Sequence, residues 1–306
     1  MKKLFGFLLI FLFTVGLLTN SASAQSILSP GDLNEIFFQD VELLFDGEGN
    51  QVDLGNPDVI QNRELQVGDV FMGIINAQNV DVNSSPFWQY DSIAPDAVNL
   101  SGIFAQQVTA VDAATGLVFL TNTTIFDFTL LDTTTLDISP YLNPGEMLAL
   151  YVDTDKDGAF TAYNTNGTVQ EDVADATDSD SGAVWLTAGV AGLDDYAYSY
   201  ATLGVLLGEF SAEAYAGLSV IQNNTGFLGF ELVNDAGEDL FDTFVQVAFT
   251  SEIEENNGFV QGNSPWHLAS NDPAIMLPTV PEPGTVLLLG LGLLGLSVIA
   301  RKKKTA

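Results

Sequence analysis

Residues 36–45 read IFFQDVELLF, ten residues of which only Gln39, Asp40 and Glu42 are polar. Helix or strand here decides the fold. Asp32, just upstream, is a residue type that caps helices, so PGDLNEIFFQDVELLF opens with a short capped helix on one reading. On the other it is a strand, because β-branched and aromatic residues suit a pleated, half-buried surface. The rest of the chain favours the strand. Runs of the same kind recur at DVFMGIINAQNV (69–80), GIFAQQVTAV (102–111), GLVFL (116–120), IFDFTLL (125–131) and MLALYVD (147–153). They continue at YAYSYATLGVLL (196–207), FLGFELV (227–233) and FDTFVQVAF (241–249). Each is short and bounded by turn residues, the spacing of strands joined by hairpins. DYAYSYA alternates Tyr with small residues, a period of two. Many strands without interleaved helical patterns predict an all-β domain, an antiparallel β-sandwich or jelly-roll-like barrel. The most polar stretch, Asn164–Gly182, reads as a loop within one domain rather than a boundary between two.

Charge narrows the function classes. The chain has 306 residues, 40 Asp and Glu, eight Lys and Arg, one His and no Cys. Of the cations, only Arg63 and Lys156 lie between Lys3 and Arg301, whereas all the acids except Glu282 lie in residues 25–280. Such a surface repels nucleic acid and anionic membranes and attracts cations. Its Val, Leu, Phe and Tyr content still permits a real core.

Both ends read as targeting segments. MKKLFGFLLIFLFTVGLLTNSASA (1–24) has two lysines, an apolar run and an Ala-Ser-Ala exit, so it predicts a signal peptide cut between Ala24 and Gln25. The alternative is a retained anchor. An exported chain without cysteine has no disulfide, so packing or bound ions must hold it together. Near the other end, Thr285–Ala300 is uncharged and is followed by Arg301, Lys302, Lys303 and Lys304. A 16-residue helix spans about 24 Å, short of a ~30 Å hydrocarbon core, a mismatch that local thinning and snorkelling absorb. A buried core helix would not end in four cations, and the positive-inside rule puts residues 25–279 outside.

Pro281-Glu282-Pro283, the Leu/Gly-rich span 285–300 and the basic terminus, together residues 280–306, resemble the PEP-CTERM sorting signal. The resemblance implies recognition by an exosortase, a membrane cysteine transpeptidase of exopolysaccharide-making Gram-negative bacteria. Cleavage near Pro281–Pro283 would pass an inner-membrane-tethered precursor to the cell surface or extracellular matrix. The two prolines fix an extended backbone that an enzyme cleft can grip. The resemblance says nothing about residues 25–279.

Within that ectodomain the sharpest motif is DTDKDGAFTAYN, starting at Asp153. Asp153, Asp155 and Asp157 occupy alternate positions of a D-x-D-x-D-G loop, and Ala159 would offer a carbonyl. Crowded carboxylates are relieved by a hard cation, so the motif predicts a calcium loop between strands. Position 12 is Asn164 instead of a bidentate glutamate, and Glu171 or Asp172 is the candidate to complete the shell. The competing reading is a solvated hairpin turning at Asp157-Gly158. DGEGNQVD (46–53) is a poorer echo that reads as a plain hairpin, and DATDSDSG (175–182) reads as a solvated face. Trp88 and Trp266 each follow an Asn-Ser-Pro or Ser-Ser-Pro turn and are candidates for stacking on sugar rings, with burial the favoured alternative. His267 stands alone, without a nucleophile motif, and reads as structural. No catalytic residue is assigned. N-x-S/T sequons occur at Asn83, Asn99, Asn122, Asn166 and Asn223. The sequence therefore predicts a non-enzymatic surface or matrix protein, structural or adhesive in exopolysaccharide or biofilm and associated with calcium. The alternatives are a lectin-like carbohydrate-binding module and a two-carboxylate polysaccharide hydrolase.

Overall fold

The computed structural model describes residues 29–279 apart from 30–31, 33, 57, 60–62, 90–98, 113, 154–166, 178–182, 192–194, 202–210, 226–228, 231, 234–238, 242–244, 253–264, 267 and 277. The sequence-predicted signal peptide 1–24 with its Ala24–Gln25 junction, the Pro281-Glu282-Pro283 motif and the predicted span 285–300 lie outside the described residues.

IFFQDVELLF is strand. β1 runs Asn34–Phe45 and begins two residues after Asp32, so the capped helix does not form there. Asp32 instead accepts a hydrogen bond from Ser29 Oγ at 2.7 Å. The strands that follow are β2 (Val70–Val82), β3 (Ser85–Gln89), β4 (Asn99–Asp112) and β5 (Leu117–Asn122). A small pair, β6 (Asp127–Thr129) and β7 (Thr135–Asp137), precedes β8 (Leu148–Asp153). Helix α1 (Val169–Thr177) leads to β9 (Ala183–Gly189), β10 (Tyr196–Ala201) and β11 (Ser211–Asn223). Short strands β12 (Gly229–Phe230), β13 (Leu232–Val233) and β14 (Asp239–Phe241) come before β15 (Val245–Glu252), β16 (Leu268–Met276) and β17 (Pro278–Thr279).

Eleven of these strands form one antiparallel sheet, and the sheet closes. The pairings run β4–β8–β9–β11–β15–β16–β1–β2, and β2 pairs back onto β4. The expected all-β antiparallel class holds, and the opposed faces are opposite walls of a single closed sheet, which leaves fewer exposed edges. Register shifts at Phe37/Phe38, Val108/Ala110 and Val220/Gln222 supply bulges that bend strands into the ring. One wall is built at two heights. Along one side of β4, β8 pairs with residues 99–104 and β5 with 106–112. Along β11, β10 pairs with 212–217 and β9 with 219–223. The pairs β8–β9 and β5–β10 therefore bridge the same gap one above the other.

Alternation divides the apolar residues between two layers. Ile36, Phe38 and Leu44 of β1 join Ile75, Phe104, Leu150 and Leu218 in the core enclosed by the ring. Val41, Leu43 and Phe45 face the other way, against Met72, Ile103, Phe128 and the α1 residues Val169, Val173 and Ala176. That second layer lies between the wall and a cover made of α1 and β6–β7. Gly73 is needed for the close approach: a Cβ there would stand 2.5 Å from Phe104 Cζ and 2.6 Å from Val41 O. The enclosed core is packed, with a cavity of about 10 Å³ beside Phe38, Phe104, Met147 and Leu218, one water's worth of room.

The stretch read as the polar loop 164–182 contains α1. Its start is a capping box: Thr168 N donates to Glu171 Oε2 at 2.9 Å, and Glu171 N donates to Thr168 Oγ1 at 3.3 Å. The apolar i, i+4, i+7 set Val169, Val173 and Ala176 then gives the helix one face to bury.

Candidate functional site

The first turn of α1 carries Asp172, which is 4% exposed. Its Oδ2 accepts a 2.7 Å hydrogen bond from Trp266 Nε1. Removal from water raises the Asp172 carboxyl above the usual range. The Trp266 and Gly167 hydrogen bonds pull it down, and Asp175 and Glu171 push it further up. This arrangement settles two candidates. Trp266 is 3% exposed with its indole N–H engaged, so it has no ring face to offer a sugar and is a packing residue. Asp172, weighed as the completing calcium ligand, already serves as the acceptor for that indole.

Trp88 lies on β3, opposite Val80 of β2. It is half-buried and packs against the enclosed core, while its neighbour Phe87 is 49% exposed. The turn between β2 and β3 is set by Asn83 and Ser84, with φ of 50° and 62°, as a two-residue primed turn requires.

Asp153 is the last residue of β8 and stands opposite Asn99, the first residue of β4. Asp155, Asp157 and Ala159 lie outside the described residues, as does His267. Among the described residues no group of three or more His, Asp or Glu side chains is placed to hold a metal. The poorer echo at 46–53 is a hairpin turn. Asp46 Oδ1 accepts from Glu48 N and Asn50 N, both at 2.9 Å, and so satisfies its own turn.

Sequence reasoning missed the polar residues of β4. Asn99 is 5% exposed and Ser101 is 1% exposed; both lie on the face shared with Ile103 and Ala105, toward the second apolar layer. Among the described residues Asn99 Oδ1 and Ser101 Oγ, both buried, have no hydrogen-bond partner. A second missed group is Glu146, 3% exposed. It accepts from Asn143 N at 2.7 Å and from Thr187 Oγ1 at 2.7 Å, where the two heights of the wall meet. Tyr151 is pushed up to about 12 by burial and by the nearby Glu146 and Tyr141, and its hydroxyl donates to Tyr141 O at 2.7 Å. It is a buried donor and no acid–base group. Arg63 binds the buried Asp69 at 2.7 Å.

The fold thus defines a class: an all-β domain with a closed antiparallel sheet. The model of the PEP-CTERM protein-sorting motif matches residues 279–304, so the chain carries that sorting motif. The motif marks an exported protein sorted to the cell surface and processed by an exosortase. No curated protein matches the chain. Among the described residues no helix is long and apolar enough to cross a membrane, and the sequence-predicted span 285–300 lies outside them.

Proposed function

We propose that the chain is a non-enzymatic component of the bacterial surface or exopolysaccharide matrix. In this reading it is held in the inner membrane by residues 285–300 until exosortase releases it near Pro281–Pro283. The sorting motif at 279–304 carries this reading. Support comes from the charge layout, which leaves the basic cluster 301–304 to orient a membrane segment and gives the ectodomain an acidic surface. Replacing Pro281, Glu282 and Pro283 by alanine should leave full-length protein in the inner membrane, read by fractionation and immunoblot. Processing at the wild-type rate would refute recognition at that motif.

A calcium-associated ectodomain is the second element of the proposal, favoured by the D-x-D-x-D-G spacing that begins at Asp153, the last residue of β8. Chain-wide acidity adds the driving force for cation binding, with affinity suited to extracellular calcium. The carbohydrate-binding alternative now rests on Trp88 and the exposed Phe87 of β3, since Trp266 is covered.

A further inference from the structure

The N-x-S/T sequons look alike along the chain, and the fold separates them. Asn99 is 5% exposed in β4, where a group as bulky as a sugar would force apart the layer packed against it. At Asn122 the nitrogen that would carry the sugar is in use, since Nδ2 donates to Val190 O while Oδ1 accepts from Val190 N. Asn223 is held in the sheet opposite Leu186 of β9, and its Oδ1 accepts from Thr225 N at 3.1 Å and from Thr225 Oγ1 at 2.6 Å. The sequon at Asn166 lies outside the described residues.

Asn83 differs in each respect. It is the first of the two residues that turn β2 into β3, and residues 83–87 are exposed without a break. With φ of 50° at Asn83 and 62° at Ser84, the backbone reverses within two residues, so Asn83-Ser84-Ser85 is the tip of a hairpin. β3 is the last strand in the pairing order and bonds only to β2 among the described residues, so this tip can move without breaking the ring. Among the described residues the Asn83 amide makes one bond, from Nδ2 to Asp32 Oδ1 at 3.1 Å, and water replaces such an exposed bond at little cost. Asp81 stands two residues before Asn83, and no other sequon has an acid at that position. A carboxylate there gives an arginine in a transferase cleft a charge-assisted grip on the segment.

We propose that Asn83 is a glycan acceptor, taking an oligosaccharide from a lipid-linked sugar diphosphate after the chain leaves the cytoplasm. In that step Nδ2 bonds to the anomeric carbon of the first sugar. The bond from that carbon to the diphosphate oxygen breaks, the diphosphate leaves with the electron pair, and the amide proton passes to a base of the transferase. Ser85, whose hydroxyl completes the sequon, is the first residue of β3 and is exposed. The step needs export of the chain, and neither exosortase cleavage nor calcium.

The test is peptide mass spectrometry on the protein purified from its own bacterium, as wild type and as Asn83→Gln, Ser85→Ala and Asp81→Ala. In wild type the peptide containing Asn83 should gain the mass of an oligosaccharide and release sugar fragment ions, while peptides containing Asn99 and Asn122 keep their sequence masses. Asn83→Gln and Ser85→Ala should abolish the added mass, and Asp81→Ala should lower the modified fraction several-fold. A peptide beginning at Gln25 reports export in the same digest. An unmodified Asn83 peptide in the exported chain would therefore overturn the acceptor and leave the sorting reading standing. Sugar at Asn99 or Asn122, or sugar that persists in Asn83→Gln, would overturn the selection by the fold, and an unchanged fraction in Asp81→Ala would overturn the role of that acid. Wild type alone decides the main outcome, so a variant that fails to fold does not obscure it.

Discussion

Asp172 is a buried carboxylate held by the Trp266 indole N–H and a Gly167 backbone hydrogen bond, beside the apolar layer that contains Val169 and Val173. Burial raises its pKa, and this sets a direction for stability. A carboxyl whose folded pKa lies above the unfolded value of about 3.9 binds its proton more tightly when folded. Its contribution is complete below that unfolded value and is lost as pH rises through the folded pKa. Asp172→Asn keeps an acceptor for Trp266 and removes the buried charge. It should therefore raise Tm at pH 7, with the gain shrinking as pH falls toward 4, in melts run with chelator. A variant less stable than wild type at every pH would mean that the charged form is the one the layer accommodates. The burial of Asn99 and Ser101 was not legible, because a linear reading shows only a polar segment and the sheet alone reveals its depth.

At the scale of the element, α1 shows how a correct local signal is masked by its surroundings. Thr168-x-x-Glu171 is a capping box in plain sequence, and Val169, Val173 and Ala176 follow at helical spacing. Acidic and turn-forming residues on both sides made the whole of 164–182 look like loop. Removing the cap hydroxyl with Thr168→Ala should destabilise the protein by about 1 kcal/mol, read from the midpoint of denaturant unfolding. Glu171→Gln should cost less, since its side-chain carbonyl still reaches the Thr168 amide. Strands with β-branched or aromatic runs, such as β1, β2 and β4, were read correctly from composition. β16 was missed because LASNDPAIM contains Asn271, Asp272 and Pro273, residues that ordinarily punctuate strands. β11 was missed because alanines and a glycine dilute its alternation.

At the scale of the whole molecule, the strands were legible and their closure was not. Pairings such as β1–β16 and β2–β4 join distant parts of the chain, and local pattern carries no information about them. The closed ring joins distant parts of the chain in one sheet without any disulfide. The formal net charge of −32 implies self-repulsion that salt screens, so the melting temperature in chelator should rise with sodium chloride concentration. A flat response would show that the acidic groups are too far apart to matter at the ionic strengths used.

The two-height wall has one more consequence, and it hangs on a single amide. Asn122, at the end of β5, donates through Nδ2 to Val190 O and accepts through Oδ1 from Val190 N, both at 2.8 Å. A side chain here impersonates a peptide group and rivets the upper storey to the lower. Without the rivet each strand pair would breathe on its own schedule while its twin kept the cylinder shut. Hydrogen exchange would register this: in Asn122→Ala the Val190 amide should lose protection, and β1 and β2 should keep theirs.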